Sequence, residues 1–129
     1  MRVLLSIKPQ FVDKIISGEK IFEFRRRVFG RRDIKTALIY STKPVGRIVA
    51  EFDIVGVIED RPDVLWKMTC HRAGITKQFF ESYFEGRETA FALEIGEVRP
   101  FAEHVDPAKF IDKFTPPQSY MYIGRDGRP

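Results

Sequence analysis

SIKPQFVDKIISGEKIFEFRRR, residues Ser6 to Arg27, reads as the end of a strand, a short amphipathic helix, a glycine stop and a second strand that finishes in three arginines. Pro9 suits the first turn of a helix, where its missing amide leaves no hydrogen bond unmade. Phe11, Val12, Ile15 and Ile16 recur at helical spacing and form one apolar stripe, with Asp13 and Lys14 left for solvent. Gly18 stands where a left-handed C-terminal cap belongs. From Lys20 to Arg27 the pattern changes to a period of two, with Phe22 and Phe24 on one face and Glu23 and Arg25 on the other. The Phe pair is expected to point into the core. The groups that do chemistry or hold an anion are concentrated here: Ser6, Lys8, Lys20, Glu23, Arg25, Arg26 and Arg27.

Outward from this stretch, strands dominate. Arg2 to Lys8 is rich in Val, Leu and Ile and predicts the first strand. Phe29 to Asp33 reads as a turn, and Lys35 to Thr42 as a strand with Leu38 and Tyr40 on one face, broken by Lys43-Pro44-Val45-Gly46. Arg47 to Glu59 is the longest strand pattern, with Ile48, Ala50, Phe52, Ile54 and Ile58 in phase and Gly56 marking a bulge or bend. Pro62 opens a helix whose inner side would carry Val64, Leu65 and Met68. After Ala73-Gly74-Ile75, Thr76 caps another helix with Phe79, Phe80, Tyr83 and Phe84 as its buried stripe. Thr89 to Val98 is a strand with Thr89, Phe91, Leu93 and Ile95 inward, expected to stop before Pro100. Asp106-Pro107 starts a short helix through Phe110, and Ser119 to Ile123 closes the chain, leaving 124–129 as a frayed tail.

Long strands with few βαβ alternations predict an α+β, mostly β, fold. The expected form is a small closed or nearly closed barrel, largely antiparallel, with two to four short helices packed on it, in one domain over 1–123. A chain of 129 residues, 43% hydrophobic and 31% charged, is large enough to bury one core. The formal charge of +4 is a mild bias that suits a polyanionic partner without demanding one. The lone Cys70 rules out an internal disulfide and a paired-cysteine metal site, and His71 and His104 match no zinc spacing. No cofactor or metal is called for. The apolar run at the N-terminus is too short for a signal peptide, and no run approaches the ~18 apolar residues of a membrane span, so a cytoplasmic protein without a membrane partner is expected.

The chain resembles the ASCH domain family, a branch of the PUA-like barrels. The resemblance is carried by Ser6-Ile7-Lys8-Pro9, Gly18-Glu19-Lys20 and Glu23-Phe24-Arg25, then Ala73-Gly74-Ile75 with Phe79-Phe80 and Tyr83-Phe84-Glu85-Gly86, and finally Pro117-Gln118-Ser119. It implies a small barrel with a cleft beside the first helix, and binding of or action on RNA or nucleotides. Some members resemble regulators. Others are enzymes that deacetylate acetylcytidine or cleave RNA. The deacetylating branch is implied to use a lysine, a threonine three residues on and a distant glutamate. Lys20 matches the lysine, whereas Glu23 stands at the threonine position and offers no hydroxyl nucleophile.

Two readings of each candidate remain open. Lys20 is either a cation or lowered-pKa base at a cleft mouth, or a solvated lysine at a strand start. Glu23 and Arg25 are either an acid or base with an anion clamp, or a pair that closes the barrel mouth. Arg25, Arg26, Arg27, Arg31, Arg32 and Lys35 face a single acid, Asp33, and would form a basic hairpin for RNA backbone or an ordinary charged loop. Tyr40 and Ser41 would line the same cleft, with Tyr40 as a stacking face, and Ser119 would donate to a ligand oxygen or bond within its own turn. Trp66, Phe79, Phe80 and Phe84 are assigned to the core. The leading expectation is an RNA- or nucleotide-binding module, regulatory in role. The alternatives are a metal-independent hydrolase with Lys20 and Glu23 as its acid/base pair, and a regulatory domain that contacts a protein partner.

Overall fold

A computed structural model describes residues 1–109 and 111–124. Phe110, the predicted end of the last helix, and most of the predicted frayed tail, 125–129, lie outside the described residues. The strands are β1 (Arg2–Ile7), β2 (Phe22–Arg25), β3 (Thr36–Ser41), β4 (Arg47–Asp60), β5 (Ala90–Val105) and β6 (Tyr120–Ile123). The helices are α1 (Pro9–Ser17), α2 (Pro62–Thr69) and α3 (Lys77–Tyr83). The strands form one sheet in the order β2-β5-β4-β3-β1-β6. β1 and β3 run parallel and every other pair is antiparallel. This is the mostly-β, nearly closed architecture expected, open between β2 and β6.

Helix α1 forms where the sequence placed it. Pro9 occupies its first turn, Val12 and Ile15 are buried, and Gly18 ends it at φ +84° with its N–H on Ile15 O at 3.1 Å. A left-handed residue at this position would strain any side chain larger than hydrogen. Because α1 connects β1 to β2, it carries the chain from the strand next to one edge of the sheet to the opposite edge.

The main core packs Val3, Leu5, Ile39, Phe52 and Leu93 of the sheet together, and α1 adds Val12 and Ile15 to it. A second cluster packs Phe22 and Phe24 against Leu65, Phe80 and Phe84, so the Phe pair of β2 points inward as predicted. Both faces of β2 are covered, however, and Glu23 and Arg25 are as buried as the phenylalanines.

Several expectations change. β5 does not stop before Pro100 but runs through it, with Pro100 opposite Ala50. β2 pairs only with Phe91–Glu94, so the far half of β5 has β4 on one side only, and a proline facing that bare edge breaks no ladder bond. The arginine-rich segment is not a hairpin: β2 pairs with β5, whereas β3 pairs with β1 and β4. Residues 26–35 are a crossing loop anchored by Phe29 and Ile34, both buried. Met68 is exposed, and Thr69 is buried in its place with its hydroxyl on Leu65 O at 2.8 Å. The bend at Gly56 is borne out as a register shift between Ile54 and Gly56.

The opening between the two edges of the sheet is bridged by one side chain. Arg25 Nη1 donates to Ser6 O in β1 at 3.4 Å and to Glu23 Oε2 at 3.1 Å, and Nη2 donates to Ser119 O just before β6. Removing one partner of a buried ion pair leaves the other charge uncompensated. Arg25→Met is therefore expected to lower unfolding free energy by about 3–5 kcal/mol in urea titrations. The exposed Arg27→Met should change it by no more than about 0.5 kcal/mol. Equal stability of the two variants would show that the opening needs no strap.

Candidate functional site

A cleft of about 250 Å³ lies between the β1–α1 junction, β2 and α3. Of the residues singled out from sequence, Ser6, Lys8, Lys20, Glu23, Arg25 and Arg26 line it. The local sequence dictates this meeting. Pro9 starts α1 just after Lys8, leaving Lys8 at the junction. Gly18 then turns the chain so that Lys20 N donates to Lys14 O at 3.0 Å and the side chain enters from below the helix.

Lys20 is 2% exposed, contrary to the expected position at the mouth of a cleft. Its ammonium donates to Ala73 O at 2.8 Å and lies 4.7 Å from the Phe24 ring centroid and 5.7 Å from that of Phe11. Burial lowers its pKa from 10.5 to about 8; the Glu23 carboxylate opposes the shift and Lys14 adds to it. The loop over it is tailored to this fit. Gly74 has φ +69°, and a Cβ there would stand 2.4 Å from Lys20 Cβ. Lys14 Nζ donates to Gly74 O at 3.3 Å, so two lysines from the α1 side hold consecutive carbonyls of that loop.

Glu23 comes from the same β2 face as Arg25 and accepts its guanidinium. Arg25 also donates to Ser6 O and Ser119 O, the contacts that the barrel-closing alternative calls for. The Ser6 hydroxyl is buried and has no hydrogen-bond partner among the described residues. The rim carries Lys8, whose Nζ lies 5.7 Å from the Phe79 centroid, and Arg26, whose guanidinium lies over Tyr83 at 4.3 Å with Nε on Tyr83 O at 2.7 Å.

The remaining predicted residues lie elsewhere. Arg27 is exposed, Arg31 pairs with Asp33 at 2.8 Å, and Arg32 donates to Phe29 O. Tyr40 is buried with its ring 5.2 Å from that of Phe114, and Ser41 is buried beyond it; neither lines the cleft. Ser119 contributes its carbonyl to Arg25. Sequence reasoning missed Phe79, Tyr83, Ile75 and Gln118, which also line the cleft. For Phe79 the signal was weak: adjacent helical residues point about 100° apart, so one of Phe79 and Phe80 can fall at the edge of the buried stripe. Among the described residues no three His, Cys, Asp or Glu side chains gather as metal ligands, and no helix is long and apolar enough to cross a membrane.

The sequence profile of the ASCH domain matches residues 5–99. The chain is 30% identical over 125 residues to an ASCH domain-containing ribonuclease of Zymomonas mobilis, covering 95% of this chain and 84% of that protein. The crystal structure of ASCH from Zymomonas mobilis aligns with a TM-score of 0.90 at 26% identity, covering 98% of this chain and 90% of that one. A stretch of 86 residues is 32% identical to the large ribosomal subunit protein uL22 of Ureaplasma parvum, covering 67% of this chain and 27% of that protein.

The buried ammonium has a measurable consequence for stability. Lys20 binds its proton less tightly folded than unfolded, so from pH about 8 to 10.5 the unfolded chain holds more protons and folding gains as pH rises. Against a Lys20→Met variant, which cancels the titration of every other group, wild type should gain on the order of 3 kcal/mol across that window. Parallel curves for the two proteins would show that the amine is not buried as described. Gly74→Ala, forced against the Lys20 side chain, should flatten the same difference.

Proposed function

The chain belongs to the ASCH domain family, and we propose that it binds RNA in the cleft between α1, β2 and α3 and cleaves the strand there. The observation that carries this reading is the meeting of Lys20 and Glu23 in one cleft whose rim presents the cations Lys8 and Arg26. The relative named as a ribonuclease, matched over 95% of this chain, supports the choice of RNA over other polyanions.

In this reading Glu23 takes a proton from the ribose 2′-hydroxyl. The freed 2′-oxygen attacks the adjacent phosphorus, and the P–O5′ bond breaks. Lys20, as its ammonium, stabilises the charge on the phosphorane and gives a proton to the departing O5′. Arg25, whose two terminal nitrogens donate to Glu23 and to the Ser6 and Ser119 carbonyls, acts on Glu23 rather than on the phosphate in this scheme. It positions Glu23. The exposed arginines of the crossing loop, Arg26, Arg27, Arg31 and Arg32, supply the longer-range attraction for phosphates, with Arg31 moderated by Asp33. A regulatory role is binding without turnover at the same site, in a cytoplasmic setting.

Purified protein is expected to cleave short single-stranded RNA, with Lys20→Met and Glu23→Gln each slowing the single-turnover rate by about a hundredfold or more. The mechanism needs Lys20 protonated, so the rate should fall as pH rises above about 8. Binding without cleavage by wild type would leave the regulatory role. Cleavage undiminished in both variants would remove Lys20 and Glu23 from the chemistry. Acetylcytidine assayed in parallel tests the deacetylase chemistry that Lys20 alone would favour. Replacing Arg26, Arg27, Arg31 and Arg32 with Ala should weaken RNA binding and flatten its dependence on salt. Wild-type binding indistinguishable from background would end the RNA reading altogether.

A further inference from the structure

Ile75, Phe79 and Tyr83 recur at intervals of four along and just before α3, and all three line the cleft. Their neighbours Phe80 and Phe84 face the other way, into the cluster beneath β2. Phe79 is thus not needed to fill the core. It is 38% exposed, and its ring meets Phe11 only edge to face, with centroids 5.2 Å apart and planes at 73°. One helical turn on, Tyr83 presents its ring to the same cleft.

Each of these rings has a cation brought to it from a different part of the chain. Lys8, at the β1–α1 junction, holds its ammonium 5.7 Å from the Phe79 centroid. Arg26, just past β2, lays its guanidinium over Tyr83 at 4.3 Å and is fixed there by the bond from Nε to Tyr83 O. The two ring–cation pairs differ in one respect. The Tyr83 ring is already covered by a hydrogen-bonded guanidinium, whereas Phe79 keeps its exposure beside the Phe11 edge and an exposed lysine. An exposed aromatic ring beside exposed positive charge suits a ligand that is flat at one end and anionic at the other. A nucleotide is such a ligand; an inorganic phosphate or a sugar-phosphate would have no use for the ring.

We propose that Phe79 is the stacking platform that selects a nucleobase at the mouth of the cleft, with Lys8 and Arg26 meeting the phosphates on either side of that nucleotide. This rests on the RNA reading above and adds to it the residue that requires a base. Phe79 touches the base and not the reacting phosphate, so it acts on affinity and on the choice of nucleotide rather than on proton transfer. Stacking is available only to a base released from its neighbours, so the nucleotide at this position is unpaired when bound.

The test compares a short fluorescent single-stranded RNA with the same RNA carrying one abasic nucleotide, moved along the strand, in anisotropy titrations. At the position where base removal hurts wild type most, Phe79→Leu should bind intact RNA about tenfold more weakly. It should bind the abasic RNA as wild type does, and Phe79→Trp should restore binding of the intact strand. A Phe79→Leu loss that is equal on intact and abasic RNA, or absent on intact RNA, overturns the platform and leaves the RNA reading standing. If loss of the Phe11 contact lowers the unfolding midpoint of Phe79→Leu, the Trp variant carries the test: tighter binding confined to intact RNA supports the platform, and equal tightening on both strands overturns it. Failure of wild type to bind intact RNA overturns the RNA reading and the platform together.

Discussion

The guanidinium of Arg25 joins parts of the chain that the sheet alone leaves apart. β2 and β6 are its two edges, and among the described residues no ladder connects them. Arg25 spans the opening with donors to Ser6 O, Ser119 O and Glu23. A planar group with several fixed donors meets three acceptors at once with less loss of freedom than separate side chains would incur. The same contacts fix the orientation of Glu23 and hold β1 close enough to β2 for Lys8 to stand at the rim. The cleft is in this sense the unclosed part of a barrel, kept at a set width by one residue.

The second constraint works against stability. An amine buried to 2% exposure is costly in its charged form, and the fold offsets this with one carbonyl, two aromatic rings and a nearby carboxylate. The groups that secure Lys20 come from distant segments: Phe11 from α1, Phe24 from β2, and Ala73 with Gly74 from the loop before α3. Packing of Phe80 and Phe84 against Phe24 holds α3 on β2, and α3 in turn supplies the cleft wall. Loss of that apolar contact would open the site as surely as loss of its polar groups.

What the sequence made legible follows from how local each signal is. α1, its Gly18 stop, the alternation of β2 and the bulge near Gly56 depend on neighbours within a few residues, and they appear where the pattern placed them. The gathering of Ser6, Lys8, Lys20, Glu23, Arg25 and Arg26 was also legible, since a short helix leaves its two flanking strands little room to diverge. Other features depended on what lies across the sheet. Whether β5 stops at Pro100 is decided by the length of β2, and whether residues 26–35 form a hairpin is decided by the partners of β2 and β3. The depth of Lys20 is decided by a glycine more than fifty positions away. Tyr40 carries no local mark of the direction it faces, and packing with Leu4, Leu38, Ile48 and Phe114 takes it away from the cleft.

Pro100 has a meaning beyond its tolerance in a strand. Past Ile95, whose N–H still donates to Ile21 O, β5 has no strand beside it among the described residues on the side β2 would have extended along, and a row of unpaired backbone donors and acceptors is a template for a foreign strand. Pro100 has no N–H to offer there, and the exposed Glu103 adds a charge beyond it, while the Glu97 carboxylate is paired with Arg99. A second copy attempting to pair there would meet a missing hydrogen bond beside an acidic side chain. The residue that resembles a strand terminator in the sequence thus limits the sheet sideways rather than lengthwise, at an edge where a proline disfavours the addition of another strand.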